Sequence, residues 1–191
     1  IKETGLENNT LVIFTSDNGG LKGPTDNSPL RSGKGYAYEG GIRVPLIVRW
    51  PEVIKPGTIS NEPVSSVDYL PSIAEAVGCD IPDEIELDGI SLLKVLKSNG
   101  RQLLDREAIY WHFPHYSNHG MQSPGGAIRD GDYKLLEYFE NNTVQLFNLK
   151  EDIGEQNDLA RVRPKKAAKL LAKLREWRKD VDAKMLRPKN N

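Results

Sequence analysis

The sequence predicts a mixed α/β fold: part of a sheet-and-helix core, followed by a small antiparallel sheet with a C-terminal helix. Three observations carry this. Two apolar runs near the start read as strands: Leu11-Val12-Ile13-Phe14-Thr15, which fits a strand buried on both faces as in a parallel sheet covered by helices, and Val44-Pro45-Leu46-Ile47-Val48-Arg49-Trp50. Four short strand-like runs separated by turn residues follow the Ser98-Asn99-Gly100 boundary. Residues 164–184 carry apolar side chains at helical spacing. The expected division is 1–100 for the core portion and 101–191 for the sheet and helix.

Each element has a local reason. Ile1-Lys2-Glu3-Thr4-Gly5 reads as the last turn of a helix stopped by Gly5, so the chain is expected to be a fragment of a longer protein. Pro45 belongs at the first residues of its strand, where no ladder donor is needed. Residues 21–41 are rich in Gly, Pro, Ser and Asn and too long for a simple connection, which marks a functional loop. Ser65-Ser66-Val67-Asp68 offers helix caps, Leu70, Ile73, Ala74 and Val77 share one helical face, and Gly78 ends that helix. A short helix is expected around residues 91–97. Strands are expected at 108–112, 126–129, 133–138 and 145–148, with hairpin turns at Asp130-Gly131-Asp132 and Asn141-Asn142. In the last helix Ala167, Leu170, Leu171, Leu174, Trp177 and Val181 form one stripe, and the basic residues opposite read as a solvated face.

Composition narrows the function. With 191 residues, 38% hydrophobic and 28% charged, the chain can bury a core, and its net charge of -1 gives no global attraction to nucleic acid or an anionic membrane. No apolar run approaches the roughly 20 residues of a membrane span. Cys79 is the only cysteine, so neither an internal disulfide nor a multi-thiolate zinc site is available.

Three segments carry chemistry. Asp17-Asn18-Gly19-Gly20 follows a strand, where open α/β sheets bind ligands. Its carboxylate and amide oxygen are hard donors suited to calcium or magnesium, and the glycines would let the backbone turn both toward one ion; the tetrapeptide taken alone fits an ordinary Asx turn somewhat better. Lys34 stands between Gly33 and Gly35, where backbone can approach a ligand while the ammonium reaches an oxyanion; a surface turn is the alternative. Glu39 and Arg43 are spaced to pair across a turn. The spacing of a Walker loop is absent. His112, His115 and His119, all the histidines of the chain, fall in one aromatic-rich segment. They fit substrate contact, a loop without direct role, or a separate metal; His112 and His115 are the leading candidates for substrate binding.

In order, Asp-Asn-Gly, Gly33-Lys34-Gly35 and Glu39-Gly40-Gly41-Ile42-Arg43-Val44-Pro45 resemble the formylglycine-dependent sulfatases of the alkaline-phosphatase-like superfamily. Val67-Asp68-Tyr69-Leu70-Pro71, Leu87-Asp88-Gly89-Ile90-Ser91-Leu92, Tyr133-Lys134-Leu135 and the segment 145–160 extend the likeness, with Asp158 inserted before Leu159. The resemblance implies the C-terminal part of such an enzyme. Asp17 and Asn18 would be two protein ligands of a calcium ion, and Lys34 would contact the sulfate group. The formylglycine nucleophile, made in a Cys/Ser-x-Pro-x-Arg motif, and the remaining metal ligands would lie outside this chain; Cys79-Asp80-Ile81-Pro82 does not fit that motif. The implied partners are a sulfated small molecule or glycan and the missing N-terminal half, the implied location is periplasmic or secreted, and the chain alone is expected to be inactive. A phosphate or phosphonate ester hydrolase of the same superfamily and a non-catalytic sulfated-glycan binding module are the alternatives.

Overall fold

The structure is a computed structural model that describes residues 1–118 and 122–186. It is a mixed α/β chain folded as two compact units, one of Ile1–Phe14 with Leu46–Arg106, the other of Thr15–Pro45 with the residues from Glu107 onward. Among the described residues no helix is long and apolar enough to cross a membrane.

In the first unit β1 (Val12–Thr15) and β2 (Leu46–Arg49) form a two-stranded sheet. Pro45 lies just outside β2, so its missing N–H costs no ladder bond. Leu46 packs with Val64, Tyr69, Ile90 and Leu96 on a core of Leu92, Val95 and Leu104. Burial of both faces of β1 is not what the described residues show, since Phe14 is 61% exposed; in β2 Ile47 is likewise 60% exposed. A two-stranded sheet with a core on one side leaves alternate side chains without a layer to enter.

Ser65 and Asp68 form a reciprocal capping box at a 3-10 turn, Ser66–Asp68, that runs into the nine-residue helix Tyr69–Val77. Gly78 closes that helix in the left-handed region at φ 66°. The inward face of the helix is not the predicted one. Pro71, Ser72 and Ala74 are buried, while Leu70, Ile73 and Val77 are exposed. Polar bonds decide this orientation. The Ser72 hydroxyl donates to the Asp68 carbonyl at 2.5 Å and accepts from the Leu92 N–H at 2.8 Å. The fully buried Asp68 carboxylate accepts from the Ile90 N–H at 3.1 Å and from the Arg106 guanidinium at 2.7 and 2.9 Å. A further helix, Leu93–Lys97, buries Leu93 and Val95.

The second unit is built on a four-stranded antiparallel sheet. Its strands β3 (Ile109–Phe113), β4 (Gly125–Asp130), β5 (Tyr133–Tyr138) and β6 (Thr143–Asn148) lie side by side in chain order. The turn at Asp130-Gly131-Asp132 forms as predicted, with Gly131 at φ 58°. At the other hairpin Asn142 takes φ 53°, and the Asn141 side chain accepts from both the N–H and the hydroxyl of Thr143.

Both faces of this sheet are covered. On one, Ile128, Leu135 and Leu146 are aligned by register and meet Ala167, Leu170 and Leu174 of the helix Pro164–Asp180. Fully burying each such leucine is worth about 2 kcal/mol, and Tyr110 stacks on Trp177 at 4.8 Å. The helix ends at Asp180, short of the predicted 184, and Arg178 is buried on its sheet face while Val181 is exposed. Arg178 goes inward because Glu137 of β5 pairs with it and Phe139 lies under its guanidinium. On the opposite face Ala127, Leu136, Phe147 and Leu149 pack against Tyr38, with Tyr36, Ala37 and Trp111 beside them. The glycine-rich loop is thereby laid on the sheet.

Candidate functional site

Asp17, Asn18 and Lys34 all belong to the second unit, and the loop brings their segments together through backbone. The Lys34 N–H donates to the Gly20 carbonyl at 3.0 Å, and the Gly19 N–H donates to the Gly41 carbonyl at 2.9 Å. Gly19 and Gly20 have ordinary negative φ, so they are not there to turn the chain. They are there for close approach: a Cβ on Gly19 would overlap the Gly40 carbonyl, and one on Gly33 would overlap the Gly20 carbonyl. The Asn27 side-chain amide donates to the carbonyls of Gly20 at 2.8 Å and Ser32 at 3.0 Å, stitching the two halves. Sequence reading missed Asn27. Its signal was an amide in the middle of a loop with few other side chains able to satisfy buried carbonyls.

Among the described residues the Lys34 ammonium has no ion pair or hydrogen bond, although its backbone is fixed. Asp17 is exposed and Asn18 half-buried. The Ser16 hydroxyl donates to the Asn18 carbonyl at 2.9 Å and reaches Asp17 only at 3.5 Å. The carboxylate and the Asn18 side chain are thus two uncommitted hard oxygen donors, which suits calcium in kind. They are too few alone, since calcium takes about 6–8 oxygens, and no group of three or more His, Cys, Asp or Glu able to hold a metal occurs among the described residues.

The histidines separate. The register pairs His112 with Gly126, which pairs with Glu137, so the imidazole stands on the helix-covered face of the sheet. There its Nε2 meets the Lys184 carbonyl at 2.8 Å and its ring lies 5.7 Å from Phe139. The sheet stands between it and the Lys34 loop. His115 is exposed, edge-on to Phe113 at 5.6 Å. His119 lies outside the described residues.

Glu39 is the hub beneath the loop. It opens the short helix Glu39–Ile42 and pairs with Arg43 at 3.5 Å, as the spacing predicted. Its closer partner is Lys134 of β5, at 2.9 Å, whose ammonium also meets Glu155 at 3.0 Å; all three side chains are buried. Sequence reading missed both partners. A lysine between Tyr133 and Leu135 in a strand was the available signal, since a buried ammonium must be paired. Burial holds the Glu155 carboxyl above its ordinary 4.5, with Lys134 pulling the other way. The fold therefore keeps a proton that the unfolded chain releases, and stability falls as pH rises from about 4.5 through the raised value. Glu155→Gln is expected to remove this component: in urea melts from pH 4.5 to 8, its midpoint should gain on the parent as pH rises. A constant difference across that range would refute the raised value.

Residues 32–184 match the family described as N-sulphoglucosamine sulphohydrolase, C-terminal. The chain belongs to this sulfatase family. It is 40% identical over 188 residues to a sulfatase of Formosa agariphila, covering 92% of this chain and 34% of that protein. It is 31% identical to the N-acetylglucosamine-6-O-sulfatase of Bacteroides thetaiotaomicron, covering 83% of this chain and 28% of that one. The chain thus spans about one third of the length of these relatives. Among solved structures, Ps i-CgsB in complex with k-i-k-neocarrahexaose superposes with a TM-score of 0.81 at 29% identity, covering 92% of this chain and 38% of that one. BT4656 in complex with its substrate D-glucosamine-2-N,6-O-disulfate superposes with a TM-score of 0.77 at 28% identity, covering 93% and 36%.

Proposed function

We propose that this chain is the C-terminal part of a sulfatase that hydrolyses sulfate esters on glycans. The observation that carries the reading is the backbone bond from the Lys34 N–H to the Gly20 carbonyl, which holds the backbone of a lysine whose ammonium has no partner among the described residues beside the segment bearing two uncommitted oxygen donors. The glycan class is supported by the two complexes above, whose ligands are saccharides. In this reading Lys34 faces the sulfate oxygens and stabilises the charge that builds as the ester bond breaks. Asp17 and Asn18 would supply two ligands of a calcium ion, whose remaining ligands, like the formylglycine nucleophile, would come from outside this chain. When bound, calcium would polarise a sulfate oxygen as a Lewis acid. His115, on the exposed end of its segment, is the histidine proposed for substrate contact, and His112 anchors that segment to Lys184. A periplasmic or secreted location goes with a glycan substrate.

The test is hydrolysis by the intact protein. It should release sulfate from a chromogenic aryl sulfate or from sulfated oligosaccharides, lose this on chelation, and regain it with calcium. Preference for a phosphate or phosphonate ester would favour that alternative. Chelator-insensitive binding of sulfated oligosaccharide with no hydrolysis would favour a binding module.

A further inference from the structure

We propose that Glu155 and Lys134 are positioning residues for the loop that carries Lys34, an inference that rests on the sulfatase reading of that loop. Glu155 grips the loop at both ends. Its backbone carbonyl accepts from the Arg31 guanidinium at 2.6 Å, and its carboxylate accepts from the Glu39 N–H at 2.7 Å. Lys34 lies between those two points. The Arg31 guanidinium also lies over the Tyr38 ring, 4.0 Å from its centroid. Lys134 then fixes both carboxylates from the sheet, at 2.9 Å to Glu39 and 3.0 Å to Glu155.

From Glu39 the constraint passes to both halves of the site. The Gly40 N–H donates to the Arg31 carbonyl at 2.9 Å, and the Gly41 carbonyl receives the Gly19 N–H at 2.9 Å. Neither glycine leaves room for a Cβ: on Gly40 it would overlap the Arg31 carbonyl, and on Gly41 the Tyr36 carbonyl. The short helix is therefore in backbone contact with the loop before Lys34, the loop after it, and the strand end bearing Asp17 and Asn18. Displacing Glu39 displaces all of them.

Two features argue that the cluster serves geometry and not bulk stability. One ammonium faces two fully buried carboxylates, an arrangement that apolar residues of similar volume commonly match or better in stability. Glu155 also takes φ 51°, a left-handed conformation that asparagine or glycine adopts at less cost. A strained, buried glutamate in that position is accounted for by the two bonds it makes. Misplacing a catalytic group by about 1 Å can cost about 100-fold in rate.

The experiment compares Glu155→Ala, Glu155→Gln and Lys134→Met in the intact protein by hydrogen exchange and by steady-state hydrolysis of an aryl sulfate. Glu155→Ala is expected to speed exchange of the Gly19, Lys34 and Gly40 amides by about tenfold or more, with β4 and β5 amides unchanged. It should lower kcat about 30- to 100-fold while KM moves less than about threefold. Glu155→Gln keeps an oxygen for the Glu39 N–H, so it should restore loop protection and most of kcat. Lys134→Met should resemble Glu155→Ala if folded, and Glu155→Ala decides the matter if it is not. Unchanged loop exchange in Glu155→Ala, or a glutamine variant as impaired as the alanine one, would overturn the proposal. Failure of the unsubstituted protein to hydrolyse any sulfate ester would sink the sulfatase reading instead, with exchange still deciding the positioning role.

Discussion

Lys34→Ala in the intact protein is expected to lower kcat/KM for a sulfate ester about 100- to 1,000-fold, the range found when one donor to a developing oxyanion is removed. Its thermal midpoint should stay within about 1 °C, because the ammonium leaves no partner behind among the described residues. That combination separates a reacting-site lysine from a structural one. Lys134 gives the contrast: its ammonium is wholly buried between two carboxylates, and its loss strands both. Lys34→Arg should recover little. The backbone around Lys34 is pinned by the Gly20 carbonyl, and a planar guanidinium cannot place its charge where a compact ammonium sat. Steady-state kinetics with calorimetric melts of the same preparations would decide. A rate loss below about fivefold with an intact fold would remove Lys34 from the reacting centre.

Asp68→Ala is expected to destabilise the first unit by about 3–5 kcal/mol, the usual cost of breaking a buried ion pair from one side. The Asp68 carboxylate is fully buried and accepts from Arg106 twice, from Ile90 and from Ser65. Without it the Arg106 side chain, 13% exposed, loses its counter-charge, although one N–H still reaches the Pro63 carbonyl. Two backbone N–H groups lose their acceptor as well, each worth about 1–3 kcal/mol if left unsatisfied. Asp68→Asn keeps one oxygen and should cost visibly less. Urea unfolding of the three proteins measures this; an alanine variant within about 1 kcal/mol of the parent would mean that water replaces the carboxylate.

Asp68 also shows why part of the fold was not legible. Its neighbours in sequence marked it as a cap, which it is. That it also reaches residues 90 and 106 follows only when those residues arrive in space. The same distant bonds, with Ser72, turn the helix so that Leu70, Ile73 and Val77 face outward against the simple reading of an apolar stripe. Strand periodicity fared better. The four C-terminal strands and both hairpin turns lie where alternating side chains and turn residues put them, because pleat and turn are local properties. The histidine segment mixed the two kinds of information. Its clustering was visible, but a strand sends neighbouring side chains to opposite faces, so only the register placed His112 on the helix side.

By itself the sequence determined most of the elements, though not the short helix Glu39–Ile42, together with the family resemblance and the chemical character of Asp17, Asn18 and Lys34, since residue type and spacing are written in the chain. Only the tertiary structure decided what holds them. The glycines proved to serve contact between Gly19 and Gly40 and between Gly20 and Gly33, a matter of space between distant segments and not of local φ. The ion pair of Glu39 with Lys134 and the bond from the Glu39 N–H to the Glu155 carboxylate each span about a hundred residues of chain. Burial makes those partners obligatory, because an ionised group removed from water must be matched where it lies. Sequence states that such a charge exists; only the fold states which charge answers it.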